Sequence, residues 1–183
     1  NGLFSWDNKQ GFYTHQGVQR FIGQFDFKNP TFVDKDWGPC DFDVFNRAIE
    51  EFSDLAAKKK RFFGIVLTLS NHAPFDLPKI EGLEPITTGG EQNKRINGVH
   101  YADWAVGQFM ASARKQEWFD NTLFVFVGDH GYHTGERNWW NKATLFERSC
   151  RAQLVIAAPG MKGGQTTRAL VRGSPTQVIR FDD

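Results

Sequence analysis

A short apolar run that ends in a carboxylate and an imidazole is the most constraining feature of this chain. Residues 122–127 read TLFVFV and are followed at once by Gly128-Asp129-His130-Gly131. A continuous apolar run of this length is typical of a buried strand. In open α/β sheets, ligands bind beyond the carboxyl ends of the strands. The sequence therefore predicts a ligand site where this strand ends.

Asp129 and His130 offer one oxygen and one nitrogen donor, a combination that suits Mn, Zn or Mg. The glycines on either side let the backbone turn tightly without a Cβ clash. The same residues also fit an acidic strand end beside an incidental histidine, since Asp-His pairs are common. From spacing alone, both interpretations stay open.

Composition narrows the class of protein. A chain of 183 residues fits one domain, and its 22 basic and 21 acidic residues create no global field that would favour nucleic acid. It contains no run of 18 apolar residues that would cross a membrane. The only two cysteines, Cys40 and Cys150, form no C-x-x-C metal motif, and a single disulfide between them stays open.

Hydrophobic periodicity predicts the main elements. Apolar residues at helical spacing predict two helices, at 43–59 and 96–116. Apolar runs predict three strands, at 62–69, 122–127 and 153–158. Strand, helix, strand, loop and strand in this order predict an α/β fold with a mostly parallel sheet flanked by helices.

Two long loops, residues 70–94 and 132–149, follow the first two predicted strands and carry candidate ligand-binding residues. His72 is expected at the same sheet edge as the Asp-His pair, and His133 and Lys142 could reach back over a metal. A lysine suits phosphate or sulfate oxygens as a compact point charge. A hydrogen-bonded loop histidine and a solvent-exposed lysine are the alternatives.

Three segments resemble lipoteichoic acid synthases and related phosphoglycerol transferases. Residues 67–75 (LTLSNHAPF) are similar to their T-x-S-N-H-x-P-F/Y segment, 101–109 (YADWAVGQF) to their Y-x-D-x-A-x-G-x-F helix, and 119–131 (FDNTLFVFVGDHG) to their D-N-T-x-x-x-x-x-G-D-H-G segment. Beyond Gly131 the resemblance shifts to another family. Residues 129–147 (DHGYHTGERNWWNKATLFE) resemble a sulfatase segment, D-H-G-x-x-x-G-E-x-x-x-W-x-K-x-x-x-F-E.

Both families belong to the alkaline phosphatase superfamily, and the resemblance implies a superfamily-like α/β domain. Residues 1–183 are expected to be the C-terminal part of one sulfatase-like catalytic domain, with a change of family character near residue 131. The fold is therefore expected to be incomplete. The nucleophile and the remaining acidic metal ligand are expected in an upstream half, so no residue of this chain is predicted to be the nucleophile.

The resemblance also implies roles for single residues. Asp129 and His130 fall on metal ligands, for Mn or Mg, or for Ca if the site is sulfatase-like. His72 falls on a substrate-binding histidine of the synthases and Lys142 on a sulfate-contacting lysine of the sulfatases. Lys9 lies near the position of a substrate-binding arginine, although lysine lacks the bidentate fork of arginine.

The implied function is metal-dependent transfer or hydrolysis of phosphoryl esters, of the phosphoglycerol transferase type. The expected partners are a phosphate- or sulfate-ester substrate, including lipid-linked esters, and the upstream half of the domain, with no nucleic acid. The resemblance implies an extracytoplasmic location, periplasmic or cell-surface. Two alternatives remain: a sulfatase that acts on sulfate esters, and a non-catalytic module with a relic metal site.

Overall fold

The computed structural model describes residues 2–3, 5, 8–86 and 89–163. Its helices are α1 (Lys9–His15), α2 (Asp41–Ala57), α3 (Glu91–Ala113) and α4 (Glu147–Cys150), and its strands are β1 (Val33–Asp34), β2 (Gly38–Pro39), β3 (Phe124–Val127) and β4 (Leu154–Ala157). In the described part of the chain, no helix combines the length and the apolar character that a membrane span needs.

The core forms where α2 and α3 pack through aromatic side chains. Phe45 stacks on Phe109 with ring centroids 4.9 Å apart, and Phe42 lies 5.2 Å from Trp104. Aromatic pairs in these geometries add stability beyond the area they bury. Both helices were predicted. The first begins at Asp41 rather than residue 43, and the second begins at Glu91 rather than residue 96.

The predicted strands at 122–127 and 153–158 are confirmed as β3 and β4. They pair antiparallel, with Phe124 opposite Ala157 and Val127 opposite Leu154. Phe124 and Phe126 pack against the helical core, whereas Val127 is 69% exposed. The ladder thus buries one face against the helices.

The prediction of a mostly parallel sheet needs correction for the strands that the structure describes. These strands form two two-stranded ladders, β1 with β2 and β3 with β4, and both ladders are antiparallel. A parallel pair needs a crossover that runs back along the whole strand, usually a helix. The connection from β3 to β4 is long but contains only the short α4 and a 3-10 turn, and it brings β4 back alongside β3 in the opposite direction. The combination of helices with strands that defines the α/β class is confirmed.

Residues 62–69 do not form a strand, contrary to the sequence prediction. Phe62 stacks on Phe52 of α2 at 4.8 Å, but Phe63 is 85% exposed. An apolar run becomes a strand only when a neighbouring backbone receives and supplies its hydrogen bonds. In the described residues no strand lies alongside this run.

A buried carboxylate fixes the end of this run to the start of α2. Asp41 is fully buried, and its Oδ1 accepts hydrogen bonds from the backbone N–H groups of Leu69 (2.8 Å) and Ser70 (3.0 Å). The backbone N–H of Asp41 donates in turn to Ser70 Oγ. Burial raises the pKa of the Asp41 carboxyl, an effect that these hydrogen bonds partly offset. Asp41 therefore determines where the segment that carries His72 begins.

Replacing Asp41 by Ala should lower the free energy of unfolding by about 2–4 kcal/mol, because two buried N–H donors lose their acceptor. Asp41→Asn keeps one acceptor oxygen but removes the ionisable carboxyl, so it separates the loss of hydrogen bonds from the loss of the titratable group. Since the folded-state pKa of Asp41 is raised, the native state holds this proton more tightly than the unfolded state. The resulting stabilisation is complete below the unfolded pKa and is lost as the pH rises through the folded pKa.

Urea denaturation between about pH 4 and about pH 8 should therefore show Asp41→Asn gaining stability relative to the unsubstituted chain as the pH rises. Asp54→Asn is the control of opposite sign. The Lys58 hydrogen bond lowers the pKa of Asp54, so the stability it contributes is lost as the pH falls. Parallel pH profiles for Asp41→Asn and the unsubstituted chain would contradict this account of the carboxyl.

Candidate functional site

The turn that carries Asp129 and His130 is held against the entry to β4 at both ends. The Gly128 N–H donates to the carbonyl of Gln153 (2.9 Å), and the Gly131 N–H donates to the carbonyl of Ser149 (2.8 Å). The antiparallel ladder thus continues past the end of β3. The two candidate ligands project from a backbone that is hydrogen-bonded on either side of them.

Gly131 is required here by close backbone approach. A Cβ added to it would lie 2.0 Å from the carbonyl oxygen of Arg148 and 2.7 Å from that of Arg151. Both are backbone atoms that cannot swing aside like a flexible side chain. Any residue other than glycine would push the Asp-His turn away from the segment before β4.

Asp129 and His130 place an oxygen and a nitrogen close together. Asp129 Oδ1 lies 3.4 Å from His130 Nε2, and the side chain of Asp129 is 85% exposed while that of His130 is 33% exposed. His130 Nδ1 lies 2.6 Å from the carbonyl oxygen of Gly131. Because a carbonyl only accepts, Nδ1 carries a proton, and in the neutral form of the ring Nε2 is the electron-pair donor.

Two electron-pair donors thus lie side by side at an accessible strand end. Their 3.4 Å separation exceeds the 2.7–2.9 Å that is usual for a charge-assisted hydrogen bond. It is compatible with two ligands of one cation, since metal–ligand bonds of about 2.1 Å place neighbouring ligand atoms about 3.4 Å apart at a tetrahedral angle and about 3.0 Å apart at an octahedral one. The nitrogen and oxygen pair, with its tautomer fixed by a backbone carbonyl, therefore fits a divalent metal.

The pair alone is half of a typical site. Among the described residues, no three His, Cys, Asp or Glu side chains are grouped so that they could hold a metal ion. Catalytic metal sites usually have three or more protein ligands. The geometry supports a two-ligand contribution from this chain.

His72 is held in the same manner as His130. Its Nδ1 lies 3.1 Å from the carbonyl oxygen of Ala73, and its ring packs on Trp37 with centroids 4.1 Å apart. Trp37 Nε1 donates to the same carbonyl. The Nδ1–H tautomer leaves Nε2 as an acceptor. This residue lines a small cavity with Asp34, Trp37 and Ser70.

The other three candidates lie in different surroundings. Lys142 is exposed, and Lys9 is half-buried at the start of α1. His133 is only 2% exposed. Its Nε2 hydrogen-bonds to Thr144 Oγ1 at 3.0 Å, and its ring packs edge-on against Trp139. This burial does not favour contact with a substrate. The binding roles of all three residues stay predictions.

Two residues that sequence reasoning did not place in the site contact its segments. Trp37 orients the ring of His72, and Arg95 of α3 contacts both Phe75 and Tyr132. Neither residue type marks a site by itself: Trp37 carries no charge, and Arg95 lies at the boundary between the predicted loop at 70–94 and the predicted helix at 96–116.

Comparison with known proteins identifies the family. The family model described as Sulfatase matches residues 1–176 of the 183-residue chain. The chain belongs to the sulfatase family. Lipoteichoic acid synthase 1 of Bacillus subtilis is 27% identical over 172 residues, which are 87% of this chain and 26% of that protein. Choline-sulfatase of Rhizobium meliloti is 39% identical over 66 residues, which are 36% of this chain and 13% of that protein.

A solved structure confirms the fold of this sulfatase-family chain. A protein of the alkaline phosphatase superfamily from Vibrio parahaemolyticus matches with a TM-score of 0.72 and 31% identity, over 88% of this chain and 37% of that one. The predicted resemblance to lipoteichoic acid synthases and sulfatases, and the superfamily-like fold, are therefore confirmed. The chain spans about a quarter of the length of the synthase and 13% of that of the choline-sulfatase.

Gly131→Ala should lower the free energy of unfolding by about 1–3 kcal/mol, the usual cost of overpacking, because its methyl group meets two backbone carbonyls. Gly107→Ala is the matched control. Nothing lies within 4 Å of the methyl group it would add on the exposed side of α3, so it should stabilise the protein by about 0.5–1 kcal/mol. Urea denaturation measures the free energy of unfolding of both variants, which should fall in Gly131→Ala and rise in Gly107→Ala. Equal effects would contradict the close approach at Gly131.

Proposed function

We propose that this chain contributes part of a metal-dependent site for transfer or hydrolysis of phosphoryl esters, of the phosphoglycerol transferase type. The observation that carries the proposal is the 3.4 Å separation of Asp129 Oδ1 and His130 Nε2 at the end of β3, with His130 Nδ1 engaged by the Gly131 carbonyl. Sequence similarity to a lipoteichoic acid synthase over 87% of the chain supports the substrate class.

Asp129 and His130 would hold the ion, Mn or Mg in the phosphoglycerol case and Ca in the sulfatase case. The chemistry such an ion supplies when bound is Lewis-acid polarisation of the ester oxygens and of the attacking hydroxyl. The carboxylate contributes negative charge, and the imidazole contributes a neutral donor whose orientation the Gly131 carbonyl fixes.

His72 would recognise the non-reacting part of the substrate. With its proton on Nδ1, its Nε2 accepts a hydrogen bond, which suits a hydroxyl such as those of a glycerol moiety. Stacking on Trp37 restricts the ring and so lowers the entropy cost of using it. Lys142, an exposed cation, and Lys9 would supply positive charge for phosphate oxygens.

The rest of the site would come from outside residues 1–183. We propose that an upstream part of the same catalytic domain supplies the hydroxyl nucleophile and the remaining acidic ligand. Two facts support this: in the described part of the chain only two candidate ligands lie together, and the relatives are longer. An extracytoplasmic location follows from the same kinship, since a phosphoglycerol transferase of this type acts on lipid-linked esters outside the cell membrane.

A sulfatase acting on sulfate esters is the second candidate. The sulfatase-like residues 129–147 and the 39% identity to a choline-sulfatase over 66 residues favour it. In that case Lys142 would bind the sulfate, and the role of His72 in binding a hydroxyl would lapse. The two functions therefore differ both in the preferred substrate and in the residue that binds it: His72 for a phosphoglycerol ester and Lys142 for a sulfate ester.

Isothermal titration calorimetry of the full 183-residue chain with Mn²⁺ tests the metal site. Asp129→Asn and His130→Gln should each weaken binding at least tenfold, which corresponds to about 1.4 kcal/mol. Asp120→Asn is the matched control, because this exposed carboxylate precedes β3 and lies outside the pair. Equal affinity of all four proteins for Mn²⁺ would show that the pair is not a metal site.

The same metal-loaded chain can be titrated with glycerol phosphate and with inorganic sulfate. A phosphoglycerol site predicts tighter binding of glycerol phosphate, with the preference lost in His72→Ala. A sulfatase site predicts the opposite preference, with sensitivity to Lys142→Ala instead.

A further inference from the structure

Arg95 lies between two segments that carry candidate site residues. These are the histidine segment, residues 70–75, and the tryptophan loop, residues 132–142. The Arg95 Cζ atom lies 5.6 Å from the ring centroid of Phe75 and 5.8 Å from that of Tyr132. Its Nη1 donates to Tyr132 Oη and to the carbonyl of Trp140. One guanidinium therefore contacts both segments.

The contacts suit the chemistry of arginine. A planar guanidinium can lie against aromatic rings while its N–H groups donate in its own plane. The Tyr132 hydroxyl also donates to the Trp140 carbonyl at 2.9 Å. Arg95 thus binds the tryptophan loop where the loop closes on itself. A lysine has the charge but neither the flat face nor the second donor in a fixed geometry.

An independent contact brings the histidine segment onto the same stretch of helix. Gly98 lies three residues after Arg95 in α3, on the neighbouring turn. A Cβ at this position would lie 2.9 Å from Asn71 Oδ1 and 3.0 Å from Phe75 Cδ1. The histidine segment therefore packs directly on α3 beside the arginine.

We propose that Arg95 is a positioning residue that holds the histidine segment and the tryptophan loop together on α3. Through Phe75 it acts on His72, three residues away, and through Tyr132 it acts on the turn that carries His130, two residues away. The proposal rests on the proposed function, because the positions matter only if both segments serve one site. Arg95 itself need not touch the substrate.

Hydrogen–deuterium exchange on the full chain tests this tether. Three amides report on it: Phe75 N–H bonds to the His72 carbonyl, and His133 and Gly135 bond within the tryptophan loop. In Arg95→Ala, exchange at all three should accelerate at least tenfold. The matched control is Arg114→Ala, which removes an exposed guanidinium from the other end of α3 and should change none of them.

Two further readouts distinguish positioning from general stability. Arg95→Lys should give an intermediate acceleration, since it restores the charge without the planar stack. The ring resonance of His72 should shift in Arg95→Ala, whereas that of the exposed His15 stays in place. These measurements remain informative if Arg95→Ala folds poorly, because Arg95→Lys keeps most of the helix contacts.

Acceleration confined to one of the two segments, or spread equally through the buried amides of α3, would overturn the proposal. So would an unchanged His72 resonance. The Mn²⁺ titration of the unsubstituted chain and of the Asp129 and His130 variants tests the proposed function separately, because it involves no substitution at Arg95. A failed metal titration would therefore refute the proposed function while the exchange result still decides the tether.

Discussion

The chemistry available at the end of β3 depends on one short hydrogen bond. The carbonyl of Gly131 can only accept, so the contact from His130 Nδ1 at 2.6 Å places the ring proton on that nitrogen. Nε2 is then left as an electron-pair donor 3.4 Å from a carboxylate oxygen of Asp129. Two donors in this arrangement repel each other unless a cation or a proton lies between them. Because the backbone carbonyl engages Nδ1, Nε2 is the ring nitrogen that faces the carboxylate, and the pair is a candidate metal site.

The rest of the described structure keeps this turn in place. The ladder between β3 and β4 continues through Gly128, and Gly131 passes so close to the carbonyls of Arg148 and Arg151 that no side chain fits. Behind the ladder, aromatic side chains of α2 and α3 form the core against which Phe124 and Phe126 pack. Rigid elements thus support exposed donors, which is the arrangement that precise binding sites require.

The two long helices, α2 and α3, and the strands β3 and β4 were predictable because local periodicity and tertiary packing agree there. Residues 62–69 show where that agreement ends. Their continuous apolar run is typical of a strand, but strand formation needs a neighbouring backbone, which local sequence does not supply. The antiparallel direction of the β3–β4 pairing could not be predicted for a similar reason, since it depends on the course of the long connection between the strands.

The candidate site was predictable to a similar degree. Asp129 and His130 could be named because they follow a strand directly, and His72 because it follows an apolar run. His133 was expected to reach over the metal, yet Trp139 of its own loop encloses its ring. Arg95 could not be identified from the sequence, because only the tertiary fold brings it into contact with Phe75 and Tyr132.

The tautomer of the His130 ring can be measured directly by ¹⁵N NMR of its imidazole. In the neutral ring the spectrum should show a protonated Nδ1 and an unprotonated Nε2, and addition of Zn²⁺ should shift the Nε2 resonance while Nδ1 keeps its proton. A spectrum with the proton on Nε2, insensitive to the added metal, would contradict the account.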